Sequence, residues 1–576
     1  MKSPRYLLAF LASAMLLQAA PTKTAADTAF EAAAKACLDD YLRLNPENAT
    51  QLGDHRFDGE LTDYSADGIK ANVATMQRHL ATLTQIDPAK LTGPNRVDAQ
   101  ILKLNLEAQV FSLAELKSQE WDPLSYNNSL ANALYLLVAR DFAPAEQRLH
   151  SAARRLAGIP VVIAQARANL RNPPEIYTQT AIKQVNGAIS LVREGLDPLF
   201  AQAPALRTEL APLQEKAAAA LTEYKQWLEQ DLLPRSKGDF RIGADLYRKC
   251  LRYTLASDLS PEQILARAER ELETTTETLY ATALPLYQKY FPETTVQPDR
   301  RTVIKAVLDH LAQEHPDNST VVAYGRQTLQ LATDFVRAHD LVTLPATPIQ
   351  LIVTPEFKRG RGIAYCDSPG ALEPNGATFV AIEPTPADWP EARMVSFFRE
   401  YNNYMMRDLL VHEAMPGHFL QLAHSNQFQA PTLVRAIFQS GTFIEGWAVY
   451  TERVMAEAGF GGPETRIQQL KMRLRVLCNA ILDQKIHMAG MTKEQGLELM
   501  MNRGFQEEGE AVAKWQRAQL SYTQLATYLV GAFEHDDMRA AAEKKMGTAF
   551  NLKQYHDLVL SVGSPPVKFV RAEVGL

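Results

Sequence analysis

Cysteine is scarce in this sequence, and the few cysteines lie far apart. The chain of 576 residues contains Cys37, Cys250, Cys366 and Cys478, and it has no C-x-x-C pair. Such wide and irregular spacing is typical neither of a disulfide framework nor of a thiolate metal site, although an exported chain could still form bridges. We therefore expect buried free thiols.

An excess of positive charge is also absent. Acidic residues number 66 against 60 lysines and arginines, which leaves a net charge of −6. This balance gives no indication of a nucleic-acid partner or of an anionic membrane surface. Beyond the N-terminus, no apolar run approaches the roughly 18 residues of a membrane-spanning helix. A hydrophobic fraction of 46% is ordinary for a globular protein with a sizeable core, and the length predicts roughly two to four domains.

The N-terminus has the layout of a secretory signal peptide. Lys2 and Arg5 precede an apolar run that ends in small residues, which is the arrangement of such signals. We place the signal at residues 1–26, with cleavage after Ala19 or Ala26; the alternative is an ordinary N-terminal helix. No cysteine lies in this region, so a lipid anchor there is not expected. The pattern predicts export to the periplasm or beyond, without stable membrane insertion after cleavage.

Helical periodicity dominates residues 27–300. In residues 211–228, for example, apolar side chains recur at helical spacing, which indicates a helix with one buried face. Ser260 opens another helix through a capping box with proline at its first position. We interpret these stripes as core packing, and they predict a mainly α-helical protein.

Near residue 345 the pattern changes to short β-prone runs bounded by turn-forming residues. The runs are 349–353, 362–366 and 377–382. They predict a small mixed or antiparallel sheet of about three strands within 349–383. Helical pattern then resumes to the end of the chain. We therefore expect a helical N-terminal region followed by a second region, 301–576, that holds the sheet, helices within 401–460 and further C-terminal helices.

The stretch VHEAMPGH contains two histidines and a glutamate at an unusual spacing. His412 and His418 are six residues apart, whereas the zinc motif H-E-x-x-H separates its histidines by four. On a straight helix, positions six apart diverge by about 120°. Pro416 and Gly417 lie between the histidines and can interrupt the helix. We therefore predict a distorted helix at 414–417 that turns His418 back toward His412.

The neighbouring carboxylates decide how this stretch is interpreted. Glu413 directly follows the first histidine, as the catalytic base does in H-E-x-x-H enzymes. Taken alone, the cluster fits a metal site and a helix end with incidental histidines equally well. Glu445, in IEGWAVYTE, lies in apolar surroundings where an unpaired carboxylate is costly, and it would complete a His₂Glu zinc site. Glu452, on the same helix face, is expected to orient a ligating histidine.

These motifs resemble those of a known family. HEAMPGH followed by EGWAVYTE is similar to the H-E-A-x-P-G-H and E-G-W-A-x-Y motifs of DUF885, a family of bacterial, often exported proteins regarded as zincin-like metallopeptidases. The second motif also resembles the N-E-G-F-A segment of gluzincin aminopeptidases. The resemblance implies a large multi-helix zincin-like fold and Zn²⁺ as cofactor. It implies His412, His418 and Glu445 as ligands, with Glu413 as the base.

Further similar stretches extend the resemblance over about 350–576; in the N-terminal half it rests on helical character and length. Many family members have a second histidine after the first motif, where this chain has Phe419. That position lies outside the proposed ligands. The prediction is therefore a zinc-dependent peptidase.

Stabilising the oxyanion requires a donor besides the metal, commonly a tyrosine hydroxyl or a protonated histidine. Tyr528 is the first candidate, followed by Tyr522 and His487; each could instead belong to the core. Gly376 and Ala377 lead into a strand that could be an edge strand binding the peptide backbone, or an ordinary hairpin.

The sequence leaves the substrate class open. Arg539 could meet a substrate carboxylate or be an ordinary solvated arginine. By analogy with helical oligopeptidases, residues 27–300 are expected to cover the cleft and to admit short or unfolded peptides. The alternatives are a zinc hydrolase of a non-peptide amide or ester, and a non-enzymatic helical periplasmic binding or scaffold protein. The sequence does not decide between endo- and exopeptidase, and it does not indicate an oligomeric state.

Overall fold

The computed structural model describes residues 23–294, 298–354, 363–373, 376–386 and 389–576. Over these residues the protein is mainly helical with one small sheet, as predicted. Most of the predicted signal peptide, residues 1–22, and Gly362 of the second predicted strand lie outside them. The first helix begins at Ala25, where Thr24 and Asp27 form a capping box.

The helices that precede the sheet pack around separate hydrophobic cores. They are α1 Ala25–Leu44, α2 Pro46–Leu52, α3 Ala66–Thr84, α4 Gly93–Phe111, α5 Pro123–Val138, α6 Ala145–Asn169, α7 Glu175–Glu194, α8 Asp197–Phe200, α9 Ala205–Trp227, α10 Leu233–Arg235, α11 Ala244–Leu255, α12 Pro261–Tyr290, α13 Arg300–Leu311 and α14 Val321–Ala338. Helices α1 to α4 surround one core and α5 to α9 another.

The sheet has three strands and mixed topology. Its strands are β1 Ile349–Val353, β2 Ala364–Asp367 and β3 Thr378–Ile382, in the order β1-β3-β2. Strand β3 is parallel to β1 and antiparallel to β2, so the predicted small mixed sheet is confirmed. Among the described residues, β2 and β1 are the edges.

The C-terminal helices enclose the sheet and the predicted metal motifs. They are α15 Glu391–Glu400, α16 Asn403–Glu413, α17 His418–Ser425, α18 Val434–Ile437, α19 Gly441–Glu457, α20 Gly462–Met488, α21 Lys493–Glu498, α22 Glu508–Gln519, α23 Gln524–Met546, α24 Leu552–Leu560 and α25 Val567–Glu573. Helix α14 packs against β1 and β3, and α16 packs against β2. This contact places the end of α16 beside the sheet edge.

One hydrophobic core crosses the predicted boundary at residue 300. It joins side chains of α11, α12 and α13 to those of α19, α20, α22 and α23, so α11 and α12 pack with the C-terminal half. None of the described helices is long and apolar enough to cross a membrane. The four cysteines are free; Cys366 is half-buried and the others are buried, which agrees with the expected free thiols.

Buried polar contacts also join the two halves of the chain. Arg435 in α18 forms ion pairs with Asp98 of α4 at 2.6 Å and with Glu573 of α25 at 2.7 Å. Arg140, just after α5, donates hydrogen bonds to the backbone carbonyls of Ala377 and Ser368, each at 2.8 Å. The N-terminal helices are therefore held against the segments that flank β2 and β3.

Helices α19 and α23 cross with their backbones in contact at two glycines. A Cβ on Gly446 would lie 2.3 Å from the carbonyl carbon of Gly531, and one on Gly531 would lie 2.0 Å from the carbonyl oxygen of Thr442. No heavier residue fits at either position unless the helices separate. This contact fixes the position of Glu445, which directly precedes the crossing.

We expect Gly446→Ala to destabilise the fold. The added methyl group forces the helices apart, and such overpacking costs roughly 1–3 kcal/mol or more. Denaturant unfolding followed by circular dichroism measures the change. Gly187→Ala is the control: Gly187 is exposed within α7 and an added Cβ meets nothing within 4 Å, so alanine is expected to stabilise by roughly 0.5–1 kcal/mol. Equal stability of the two variants would contradict the close crossing.

Candidate metal centre

The helix that carries the first histidine ends where the sequence predicts. Helix α16 ends at Glu413 and α17 begins at His418. Ala414, with φ −129° and ψ −76°, lies outside the helical region. The predicted interruption at 414–417 is therefore confirmed.

Gly417 and Trp447 fix the form of this interruption. A Cβ on Gly417 would lie 1.9 Å from the carbonyl oxygen of His412, so the chain can turn this tightly only at glycine. Trp447 of α19 is fully buried and its Nε1 donates a hydrogen bond to the carbonyl oxygen of Pro416 at 2.9 Å. The interruption is thus held in place by the helix that carries Glu445.

The three predicted ligands converge. Nε2 of His412 lies 3.7 Å and Nε2 of His418 lies 3.4 Å from Oε2 of Glu445. One ligand atom from each residue falls within 4.8 Å of the others. In a tetrahedral site with bonds of 2.0–2.1 Å, ligand atoms are about 3.3 Å apart. The two distances to Glu445 are close to this value, so the three side chains fit around a zinc ion.

The environment of these atoms also fits a cation. Oε2 of Glu445 and Nδ1 of His418 are buried, and among the described residues neither has a hydrogen-bond partner. Burial alone would raise the pKa of Glu445, but the two neighbouring imidazoles hold it well below its usual range. Glu445 is therefore an ionised carboxylate with an unsatisfied oxygen aimed at two histidines. Two imidazoles and one carboxylate form the donor set of a catalytic zinc site.

His412 is oriented from behind by Glu452. Its Nδ1 lies 2.6 Å from Oε1 of Glu452, whose side chain is 2% exposed, in the expected position of an orienting carboxylate. Burial alone would lower the pKa of His412, but Glu445 and Glu452 raise it well above its usual value. This contact leaves Nε2 of His412 facing the cluster.

Asp408 is a further buried carboxyl group behind His412. It was not identified from the sequence. It lies one helical turn before His412, and burial together with the charge of Glu452 raises its pKa well above the usual value. The raised pKa disfavours a second buried negative charge behind the histidine. Its i, i+4 spacing from His412 was the available signal.

Glu413 occupies the same cavity as the three convergent side chains. Its half-buried carboxylate accepts a hydrogen bond from the backbone N–H of Cys366 in β2. Burial raises the pKa of Glu413 above its usual value, although His412 and His418 oppose this change. The base candidate is therefore anchored between the metal-ligand cluster and the sheet edge.

The cavity has a volume of about 400 Å³ and is partly open to solvent. Besides the metal-ligand cluster and Glu413, it is lined by residues of β2 and by three further helices. These lining residues include Ala364, Tyr365, Cys366, Met472, Arg475, Val476, Asn479, Lys514, Arg517 and Tyr528. The basic residues among them, Arg475, Lys514 and Arg517, belong to no motif that could be recognised in the sequence.

Of the three candidate oxyanion donors, the cavity contains Tyr528. Tyr522 and His487, the other candidates for the donor or for substrate binding, are not among the residues that line it, so the structure does not bring them to the metal-ligand cluster. His487 is 3% exposed, stacks on Tyr247, and its Nε2 lies 2.9 Å from the carbonyl oxygen of Ser521. Burial lowers its pKa to about 4, which keeps the ring neutral.

Of the two interpretations of Gly376 and Ala377, the edge strand is wrong, whereas the hairpin agrees with the antiparallel pairing of β2 and β3. Gly376 and Ala377 lead into β3, which is the central strand and pairs with β1 and β2 on its two sides. The carbonyl oxygen of Ala377 already accepts from Arg140. The strand that borders the cavity is instead β2. The alternating pattern of the sequence could not distinguish which of the strands is the edge.

Arg539 is not placed to bind a substrate. It forms ion pairs with Glu457 at 3.1 Å and with Glu543 at 2.8 Å, away from the residues that line the cavity. These ion pairs link Arg539 of α23 to Glu457 at the end of α19 and to Glu543 on its own helix.

Comparisons with known proteins identify one family and several similar solved structures. The profile of a family described as "Bacterial protein of unknown function (DUF885)" matches residues 46–574. No curated protein matches the chain. The structure is similar to that of a candidate lipoprotein of unknown function from Shewanella oneidensis, with 32% identity, a TM-score of 0.80 and coverage of 94% of this chain and 99% of the other. It shares its fold with a candidate lipoprotein from Colwellia psychrerythraea, at 18% identity and a TM-score of 0.77, covering 96% and 99%.

Proposed function

The chain belongs to the DUF885 family, and from its site we propose that it is an exported, zinc-dependent peptidase with a zincin-like catalytic region. One observation carries this proposal. A histidine–histidine–glutamate cluster with the ligand spacing of zinc lies beside an anchored glutamate, in a cavity bordered by an edge strand. Export is supported by the signal-like N-terminus and by the 32% identical relative described as a candidate lipoprotein.

His412, His418 and Glu445 would hold the ion. Zinc in such a site supplies a Lewis acid that polarises a carbonyl and lowers the pKa of water toward neutrality. Glu413 accepts a proton from the attacking water and returns it to the leaving amine. Tyr528 donates its hydroxyl hydrogen to the oxyanion that develops on the substrate. Glu452 keeps Nε2 of His412 directed at the ligand cluster.

Strand β2 can bind the backbone of a peptide. The N–H of Glu383 donates to the carbonyl of Ile363 at 2.7 Å, and hydrogen-bonded pairs alternate along antiparallel strands. Ala364 and Cys366 therefore direct their backbone groups away from β3. The contact between the Cys366 N–H and Glu413 agrees with this direction. An extended peptide placed on this edge would present a carbonyl close to Glu413.

The N-terminal helices border the approach to this edge. A second cavity of about 390 Å³ lies between residues of α2 and α5 on one side and the segment 365–371 on the other. Tyr365 and Cys366 line both cavities. We infer one continuous cleft that admits short or unfolded peptides.

The proposal is tested by incubating the zinc-loaded full chain with a library of short peptides and identifying products by mass spectrometry. We expect cleavage of a subset of peptides, loss of all cleavage with a zinc chelator, and recovery on adding zinc back. Cleavage that persists in chelator would contradict the metal role. If esters are hydrolysed and no peptide bond in the library is cut, the peptidase assignment is wrong.

A further inference from the structure

The cavity that holds the metal-ligand cluster also has a positively charged wall. Arg475 of α20 and Lys514 and Arg517 of α22 line it. Glu510 pairs with Arg475 and lies 3.8 Å from Lys514. Arg475 and Lys514 share the carboxylate of Glu510, and the charge of Glu400 also acts on Arg475.

Arg517 has neutral partners. Its Nη2 donates to Oε1 of Gln524 at 2.9 Å and lies 3.4 Å from the hydroxyl oxygen of Tyr528. Within the described residues it forms no ion pair. A guanidinium carries five N–H donors in a planar fork that matches a carboxylate, so Arg517 keeps donors for an incoming anion.

Lys514 and Asn479 show that the wall is built for a polar ligand. Lys514 is buried; its burial and the neighbouring Arg475 lower its pKa to about 7, although Glu510 opposes this change. Asn479, one turn beyond Arg475, is 6% exposed. Its Oδ1 is a buried acceptor with no hydrogen-bond partner among the described residues, so it can accept from a substrate N–H beside the bound anion. A bound anion would relieve the repulsion among the cations.

Tyr528 places the wall close to the metal-ligand cluster. Its hydroxyl is adjacent to Arg517, while burial and the charge of Glu445 raise its pKa. An extended peptide advances about 3.3–3.6 Å per residue, and the whole cavity measures about 400 Å³. A group held by the wall would therefore be a near neighbour of the bond being cleaved.

We propose that Arg475, Lys514 and Arg517 bind a substrate carboxylate, and that this group is the C-terminal carboxylate of a short peptide cleaved within about two residues of that end. The inference rests on the proposed peptidase function and names its substrate class. An acidic side chain offers the same chemistry, and the experiment separates the two sources.

The test measures binding, which needs no turnover. In the Glu413→Gln background, with and without added zinc, calorimetry compares N-acetyl-dialanine as free acid with the same peptide as C-terminal amide. Hydrogen bonds to charged groups are stronger than those between neutral groups, so we expect the free acid to bind roughly 10- to 100-fold more tightly than the amide. Arg517→Gln should remove most of this preference, and Arg517→Lys should retain part of it.

Arg270→Gln is the matched control, because Arg270 is exposed on α12 and outside the cavity; it should leave the preference unchanged. Equal affinity of acid and amide, or an unchanged preference in Arg517→Gln and in Lys514→Met, would overturn the proposal.

If an amidated peptide ending in glutamate binds as tightly as the free acid, the wall binds a side-chain carboxylate and the C-terminal assignment is wrong. Failure to cleave any peptide would refute the proposed function without changing these binding results.

Discussion

Glu413→Gln is expected to abolish peptide hydrolysis while zinc stays bound. Glutamine has nearly the same shape and can still accept the hydrogen bond from the Cys366 N–H, but it cannot take a proton from water. General-base catalysis typically accelerates a reaction by about 10²- to 10⁴-fold, so kcat should fall by at least about 100-fold. The measurement is the rate of cleavage of a library-selected peptide, with zinc content determined on the same samples.

Glu498→Gln provides the comparison for this prediction. Glu498 ends α21 and is exposed, so this variant loses one carboxylate outside the cavity and should retain wild-type rates. A zinc-loaded Glu413→Gln variant with full activity would refute the base assignment. Loss of activity together with loss of zinc would instead give Glu413 a role in holding the ion.

His418→Ala is expected to lose the metal. The substitution removes one of three protein ligands and leaves the Glu445 carboxylate and the His412 imidazole without the third donor. Substitution of a residue that only orients a ligand typically lowers the metal affinity by about 10- to 100-fold. Removal of a ligand itself should therefore weaken zinc binding by more than about 100-fold. Titration against a chromogenic chelator measures this affinity.

Thermal unfolding gives an independent measurement of the same loss. A metal that binds the folded state stabilises it by RT ln(1 + [L]/Kd), so zinc should raise the Tm of the wild type and have little effect on His418→Ala. His424→Ala is the control on the same helix, since Nε2 of His424 contacts the carbonyl of Thr343 at 2.8 Å and lies outside the cavity. If zinc raises the Tm of His418→Ala as much as that of the wild type, His418 is not a ligand.

The local chemistry of the metal motifs could be predicted from the sequence because it depends on neighbouring residues. Pro416 and Gly417 remove a backbone donor and a side chain at the position where the helix has to break. Glu445 in apolar surroundings needs a partner for its charge. Short β-prone runs between turn residues likewise indicated the sheet.

Features set by packing between distant segments could not be predicted. Strand order depends on which of three similar strands pairs on both sides, so the sequence leaves open whether β3 is an edge strand, and the structure makes it the central one. His487 was proposed as a site residue because it is titratable, yet burial beside Tyr247 keeps it neutral. Lys514 and Arg517 sit on an ordinary helical pattern, and their shared cavity exists only because α20, α22 and α23 converge.

Metal analysis of the purified full chain tests the central claim most directly. After loading with zinc and extensive dialysis, elemental mass spectrometry should find about one zinc ion per wild-type chain. The same treatment of His412→Ala and His418→Ala should leave close to none. A wild-type chain that retains no zinc, or variants that retain as much as the wild type, would contradict the assignment of His412, His418 and Glu445 as a zinc site.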